Sequence, residues 1–121
     1  MFKTSQGLEY DGEFVNGLYE GDGTCVWENG HSYTGQWKAG KMHGIGKYVW
    51  NDGNFYEGQF SENQRHGHGV LKYYDGREYS GGWKNGKQEG TGCLKLGEET
   101  AELWGVWNRG KRIRVIEHRL S

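Results

Sequence analysis

Tyr33-Thr-Gly35-Gln-Trp37-Lys-Ala-Gly40-Lys-Met-His43-Gly44-Ile-Gly46-Lys-Tyr48-Val-Trp50-Asn-Asp-Gly53 is one copy of a unit that recurs along the whole chain. The opening aromatic falls at Tyr10, Tyr33, Tyr56 and Tyr79, a step of 23 residues, and a further copy opens at Leu103 after one extra residue. A fixed period in this range is the signature of a stacked repeat array. The glycines repeat independently of the aromatics, as Gly12, Gly35, Gly58, Gly81 and Gly105; Gly17, Gly40, Gly86 and Gly110; Gly21, Gly44, Gly67 and Gly90; Gly23, Gly46, Gly69 and Gly92; and Gly7, Gly30, Gly53 and Gly76. Of all the glycines, Gly82 and Gly97 alone lie off this grid, so the glycine content is ordered repetition and not a flexible linker. Asn63 stands at one glycine position, and asparagine also tolerates a left-handed backbone.

Within the unit, Tyr33, Gly35 and Trp37 alternate with Thr34 and Gln36, which is the two-residue period of a strand with one buried face. Gly44, Gly46, Tyr48 and Trp50 form the corresponding face of a second limb, with Ile45, Lys47 and Val49 on the other side. The reading places a loop over residues 38–43 between the limbs. Turns follow at Glu28-Asn29-Gly30, Asn51-Asp52-Gly53 and Tyr74-Asp75-Gly76. A three-residue turn with a left-handed glycine keeps Tyr56 on the face of Trp50, whereas a two-residue turn would reverse it. Symmetrical folding then aligns Tyr33, Tyr48 and Tyr56 across strands and Gly35, Gly46 and Gly58 beside them. Bare glycine backbone becomes a floor for the rings.

The expected fold is therefore all-β: an elongated single-layer antiparallel sheet of about eleven short strands, roughly 50 Å long at about 4.8 Å per strand. The chain divides into a partial copy over 1–9, repeats over 10–32, 33–55, 56–78 and 79–102, and a partial copy over 103–121. The first partial copy rests on Phe2, Thr4 and Gly7, at the offsets of Cys25, Trp27 and Gly30, and the glycine pattern fades from Ile113 to Leu120. At 121 residues the chain is read as one domain. Only 33% of its residues are hydrophobic and none is proline, a composition that by itself leans toward disorder. Aromatics at 15%, held in register, supply the missing buried area.

The unit Tyr-x-Gly-x-Trp-x-x-Gly-x-x-His-Gly-x-Gly, almost whole at 33–46 and altered at 56–69 by Phe60 and Asn63, resembles the MORN repeat (membrane occupation and recognition nexus). The resemblance covers roughly residues 7–111 and implies stacked hairpins in a twisted single-layer sheet with a groove. Glu20 and Glu89 in place of His, Leu103 in place of Tyr, and Gly97-Glu98-Glu99 in place of the Asp-Gly turn depart from it. Terminal copies of arrays are commonly atypical in this way. The resemblance further implies a non-enzymatic protein-interaction scaffold in a larger assembly, cytoplasmic, with residence in a cilium, axoneme or other cytoskeletal structure as the first expectation. Binding of anionic phospholipid is the alternative that the family name suggests.

The residues themselves narrow these options. A formal charge of −1 argues against general nucleic-acid binding. No apolar run is long enough to span a bilayer, and no cleavable leader is expected at the start. Cys25 and Cys93 have different offsets and opposite strand parity, so they read as free thiols in a reducing compartment. His43 and His66 share an offset two strands apart, roughly 10 Å, too far for ligand bonds near 2 Å to one metal. His66 and His68 have no third ligand supplied by the repeat. The Gly-x-Gly pairs lack the Lys-Ser/Thr and helix of phosphate loops. Ser32, Ser61, Ser80 and the Glu98–Glu99 pair have no catalytic context. No catalytic residue, metal or cofactor is expected.

For a protein partner, the candidate contacts are Val26, Ile45, Val49, Phe55, Val70, Tyr74 and Trp104 on the face opposite the aromatic layer, where cover by Lys, Arg and Gln stems is the competing explanation. For a lipid or acidic partner the candidates are Arg109, Lys111, Arg112 and Arg114, joined by Arg119 in a basic end. The first copy by contrast crowds Glu9, Asp11, Glu13, Glu20, Asp22 and Glu28. The open edge strands also make homo-oligomerisation through the sheet ends an expectation.

Overall fold

The fold follows from the register that the turns impose. In the computed structural model, which describes residues 2–3, 7–97 and 102–119, each copy is a hairpin of one shorter and one longer strand. The strands are β1 (Phe2–Lys3), β2 (Glu9–Val15), β3 (Leu18–Val26), β4 (Ser32–Lys38), β5 (Lys41–Val49), β6 (Phe55–Ser61), β7 (Gln64–Lys72), β8 (Glu78–Lys84), β9 (Lys87–Lys95), β10 (Glu102–Asn108) and β11 (Lys111–Arg119). They form one antiparallel open sheet in simple sequence order. Thr4, Leu120 and the Glu98–Glu99 turn lie outside the described residues, as does the side chain of Arg119.

The expected loop over 38–43 is instead a two-residue turn. Ala39 and Gly40 both have positive φ, 49° and 83°, as do Asn16–Gly17, Glu62–Asn63, Asn85–Gly86 and Arg109–Gly110. This is the turn geometry whose twist matches paired strands, so the hairpin closes without a longer loop. Asn63 sits at φ 70° in the glycine position. Its amide donates to Met42 O and its side-chain oxygen accepts from Met42 N, so it stitches two hairpins together.

The turns between copies follow the three-residue alternative. The Gly53 amide donates to Trp50 O at 3.2 Å and the Trp50 amide to Asn54 O at 2.9 Å, with Gly53 at φ 93°. Equivalent bonds close Trp27–His31 and Tyr73–Arg77. Asn29, Asp52 and Asp75 each accept the amide two residues on, the local bond that recommends Asn and Asp in turns.

That geometry aligns the rows. Tyr33 pairs with Tyr48 and Tyr48 with Tyr56; Gly35 pairs with Gly46 and Gly46 with Gly58. A Cβ built on Gly46 would fall within the ring of Tyr33, and one on Gly69 within the ring of Tyr56. The rings thus lie on glycine backbone. Each tyrosine hydroxyl then donates to the carbonyl three residues on: Tyr10 to Glu13, Tyr33 to Gln36, Tyr56 to Gln59, Tyr79 to Gly82. Phenylalanine would leave those carbonyls without this donor.

A bulge explains why they need it. Gln36 on β4 opposes His43, Gly44 and Ile45 on β5, which shifts the ladder between Gly35 and Trp37. Gly44 takes φ 88°, and Gln36 Oε1 accepts the Ile45 amide at 2.7 Å. Gln59 caps His68 and Glu13 caps Asp22 in the same way. Gly82, the glycine off the grid, stands at this capping position in the fourth copy and has no side chain to offer.

Edge-to-face rings join the copies. Trp37 meets Tyr10 and Tyr33 at centroid distances of 5.7 and 5.0 Å, Phe60 meets Tyr33 and Tyr56, and Trp83 meets Tyr56 and Tyr79. Each ring after the first therefore bridges its own hairpin and the one before. With little aliphatic content, this ladder is the core.

Candidate protein-binding groove

The two faces of the sheet differ in what they leave open. On the outer face, Val26, Val49 and Phe55 fall in one cross-strand row with Ser32 and Lys72. Val70 and Trp104 fall in the next row with Thr34, Lys47, Glu57, Ser80 and Cys93, and Ile45 flanks them opposite Gln59. Six of the seven candidate contacts therefore share a face, but charged and hydroxyl side chains divide them. Lys47 Nζ lies 4.4 Å from the Phe55 ring centroid, so the cover by lysine stems occurs at that residue. Ile45 is 55% exposed. Tyr74, 77% exposed, stands in the turn after β7 and not on the strand face.

The cysteines follow their parity. Cys25 is buried in the tyrosine row, where burial pushes its thiol pKa up to about 11. Cys93 is buried on the opposite face, beside Glu102 and across from Trp104. Both are free. Glu20 and Glu89, at the histidine offset, accept the first turn amide of the following hairpin, Ala39 N and Arg109 N, both at 3.2 Å. Among the described residues no three His, Cys, Asp or Glu side chains gather as a metal-holding group.

Beyond the tyrosine row, and apart from a recess of about 360 Å³ at the first hairpin turn lined by Phe14, Leu18 and Tyr19, the aromatic face carries two adjoining recesses. The first, about 260 Å³, is lined by Met42, Tyr48, Trp50, Phe60, Asn63, Gln64, Arg65 and Gly86. The second, about 210 Å³, is lined by Arg65, Leu71, Tyr73, Trp83, Gly86, Lys87, Gln88 and Gly110. Ligand pockets commonly run about 300–1,000 Å³. Each recess is thus sized for a side chain of a bound chain segment.

Arg65 forms the wall between them. Its position follows the turn and faces Phe60 across the hairpin, the offset held by Tyr19, Met42, Gln88 and Arg112 in other copies. The guanidinium carbon lies 4.8 Å from the Trp83 ring centroid and 5.5 Å from that of Trp50, and Nη2 donates to Gly86 O at 2.8 Å. Burial pushes its pKa below the ordinary arginine value. The guanidinium stays charged all the same, given how high that value is.

The first recess exists because the third copy departs from its neighbours. Trp37 and Trp83 donate their indole N–H to Gly23 O and Gly69 O, whereas Phe60 is smaller and has no donor. Phe60, Asn63 and Arg65 all line the space so opened. The sequence reading singled out Phe60 and Asn63 as departures but assigned neither to a site, and it passed over Arg65.

The basic end gains members from the fold. Lys84, Lys87 and Arg109 line a further recess at the turn edge of the last hairpins, and Lys111 opens the next strand. On β11, Lys111, Arg112 and Arg114 are exposed, along with Ile113, Val115 and Ile116. Two register shifts interrupt its pairing with β10. Bulges and cations are devices that discourage strand pairing at an edge.

Eleven strands in sequence order among the described residues, a 23-residue unit and an aromatic layer on glycine define a ribbon of stacked hairpin repeats. The family model for the MORN repeat matches residues 10–32, 33–55, 56–76 and 79–97, and the chain belongs to the MORN-repeat family. Repeats of this family are associated with membrane, lipid or protein interactions. No curated protein matches the chain. The hairpin β10–β11 lies beyond the matched residues yet continues the same sheet.

Proposed function

We propose that the chain is a non-enzymatic scaffold that holds an extended segment of a partner protein against its aromatic face, within a larger cytoplasmic, cytoskeletal or ciliary assembly. The observation that carries this reading is the pair of side-chain-sized recesses on either side of Arg65. Trp27, Tyr48, Trp50 and Tyr73 stand half-buried along the same face. Aromatic rings of this kind anchor partners because they bury large area at low entropic cost. The outer-face residues Ile45 and Val49, expected from sequence to make the contact, support it less well, since polar neighbours interrupt them.

Capture from native cells, followed by mass spectrometry, tests the reading with two variants. Tyr48→Ala with Trp50→Ala is expected to lose the proteins that the native chain retains, and Ile45→Asp with Val49→Asp is expected to keep them. The opposite order would overturn the choice of face. The second reading, anionic phospholipid, is favoured by the cluster of Lys84, Lys87, Arg109 and Lys111. It predicts sedimentation with anionic vesicles that high salt abolishes by screening. Vesicle binding of that kind without any retained protein would replace the scaffold reading.

A further inference from the structure

We infer that the groove selects segments carrying an acidic residue between apolar ones, with Arg65 receiving the carboxylate. The inference rests on the groove reading above and names the chemistry of its partner. Arg65 is held by two ring faces and one backbone carbonyl, Gly86 O. Those contacts occupy part of a guanidinium with five N–H donors. Among the described residues no carboxylate forms an ion pair with it, while ion pairs do form at Lys41–Glu62 and Arg77–Asp75. Among the described residues no buried side-chain nitrogen or oxygen lacks a hydrogen-bond partner, so Nε and Nη1 of Arg65, which make no hydrogen bond within the chain, keep contact with solvent.

The surroundings have the same sign. The chain has 16 acidic residues, yet neither recess is lined by Asp or Glu, and Lys87 adds a second cation to the second recess. A partly desolvated guanidinium with free donors and no counter-ion favours a carboxylate, which it receives through paired, charge-assisted hydrogen bonds. The recesses on its two sides are lined by Met42, Tyr48 and Phe60 and by Leu71 and Tyr73. They suit apolar side chains flanking the acid. The ring faces of Trp50 and Trp83 fix the guanidinium plane in advance, so little rotamer freedom remains to be lost on binding.

The test uses the full chain and a random linear peptide library displayed on phage, with the best selected peptides synthesised. The expected result is enrichment of peptides with Asp or Glu among apolar residues. Replacing that acid by Asn or Gln should weaken binding at least tenfold to the native chain and hardly at all to the Arg65→Met variant. Arg65→Lys, which keeps the charge without the planar fork, should fall between. Peptides that need Trp50 but bind equally well with the acid removed would overturn the carboxylate inference and leave the groove. Peptides indifferent to Trp50→Ala, or no enrichment, would overturn both. The peptide-side replacement decides the matter even if an Arg65 variant fails to fold.

Discussion

Hairpins β4–β5 and β6–β7 share one backbone plan and differ at three side chains that decide what each can do. The former has Trp37, Gly40 and Met42; the latter has Phe60, Asn63 and Arg65. Trp37 fills its space and bonds Gly23 O, and Met42 closes against it as buried core. Phe60 keeps the edge-to-face contacts with Tyr33 and Tyr56 but vacates the rest, and Arg65 turns the vacancy into a charged wall. What the array repeats holds the ribbon together, and what it fails to repeat makes the groove.

The largest expected effect breaks the shared plan. Gly46→Val puts a side chain into the ring of Tyr33 on a backbone that already closely faces Gly35. Overpacking commonly costs about 1–3 kcal/mol, and this site has no flexible neighbour to yield, so the upper end is expected in chemical denaturation. An unchanged midpoint would remove the glycine floor from the account.

Phe60→Trp sharpens the comparison by giving β6–β7 the side chain of β4–β5. The indole fills part of the first recess and offers a donor to Gly46 O, the acceptor equivalent to Gly23 O. A net hydrogen bond is worth about 1 kcal/mol, so stability should rise slightly while segment binding falls. A variant that gains stability and still binds fully would place the partner elsewhere.

High pH acts on what the hairpins have in common. Burial raises the phenol pKa of Tyr33 and Tyr79, and that of Tyr56 to about 12. These groups fold in the neutral form, so their contribution is complete below the unfolded value near 10 and is lost as pH rises through the folded value. Thermal melts should hold level up to about pH 9, where Cys25 first begins to oppose folding, and fall steeply above 10. Equal melting temperatures at pH 8 and pH 11 would contradict the buried tyrosine row.

The smallest effect concerns the turns. Ala39 has φ 49° at a position where other hairpins use Asn16 or Asn85. A left-handed residue with an ordinary side chain costs about 1–2 kcal/mol, and Asn recovers part of it. Ala39→Asn should therefore raise the melting point modestly and leave binding untouched. A drop would mean that Ala39 packs in a way the turn geometry does not require.

These contrasts also mark how far the sequence could be read. The period, the three-residue turns and the alignment of Tyr33 with Tyr48 and Gly35 with Gly46 were legible, because each follows from spacing and strand parity. The short intra-copy turn was not, because Ala39, Glu62 and Arg109 gave no sign of a left-handed conformation. That misreading hid the groove. With His66 assigned to a loop, Arg65 had no face, although it shares parity with Gly67, Gly69 and Leu71. Counting the second limb back through its bulge, which adds two residues and so preserves parity, would have set Arg65 opposite Phe60. Tyr74 lies off the strand face for a related reason: a turn residue has no strand face to be read from alternation.

The central claim is that the aromatic face around Arg65 receives the partner segment. Nitrogen–proton correlation spectra of the labelled chain, titrated with a selected peptide, test it most directly. The account predicts that the indole N–H signals of Trp50 and Trp83 shift with the peptide while the outer-face signals of Lys47 and Val49 stay in place. Shifts of Lys47 and Val49 with stationary Trp50 and Trp83 indoles would contradict it.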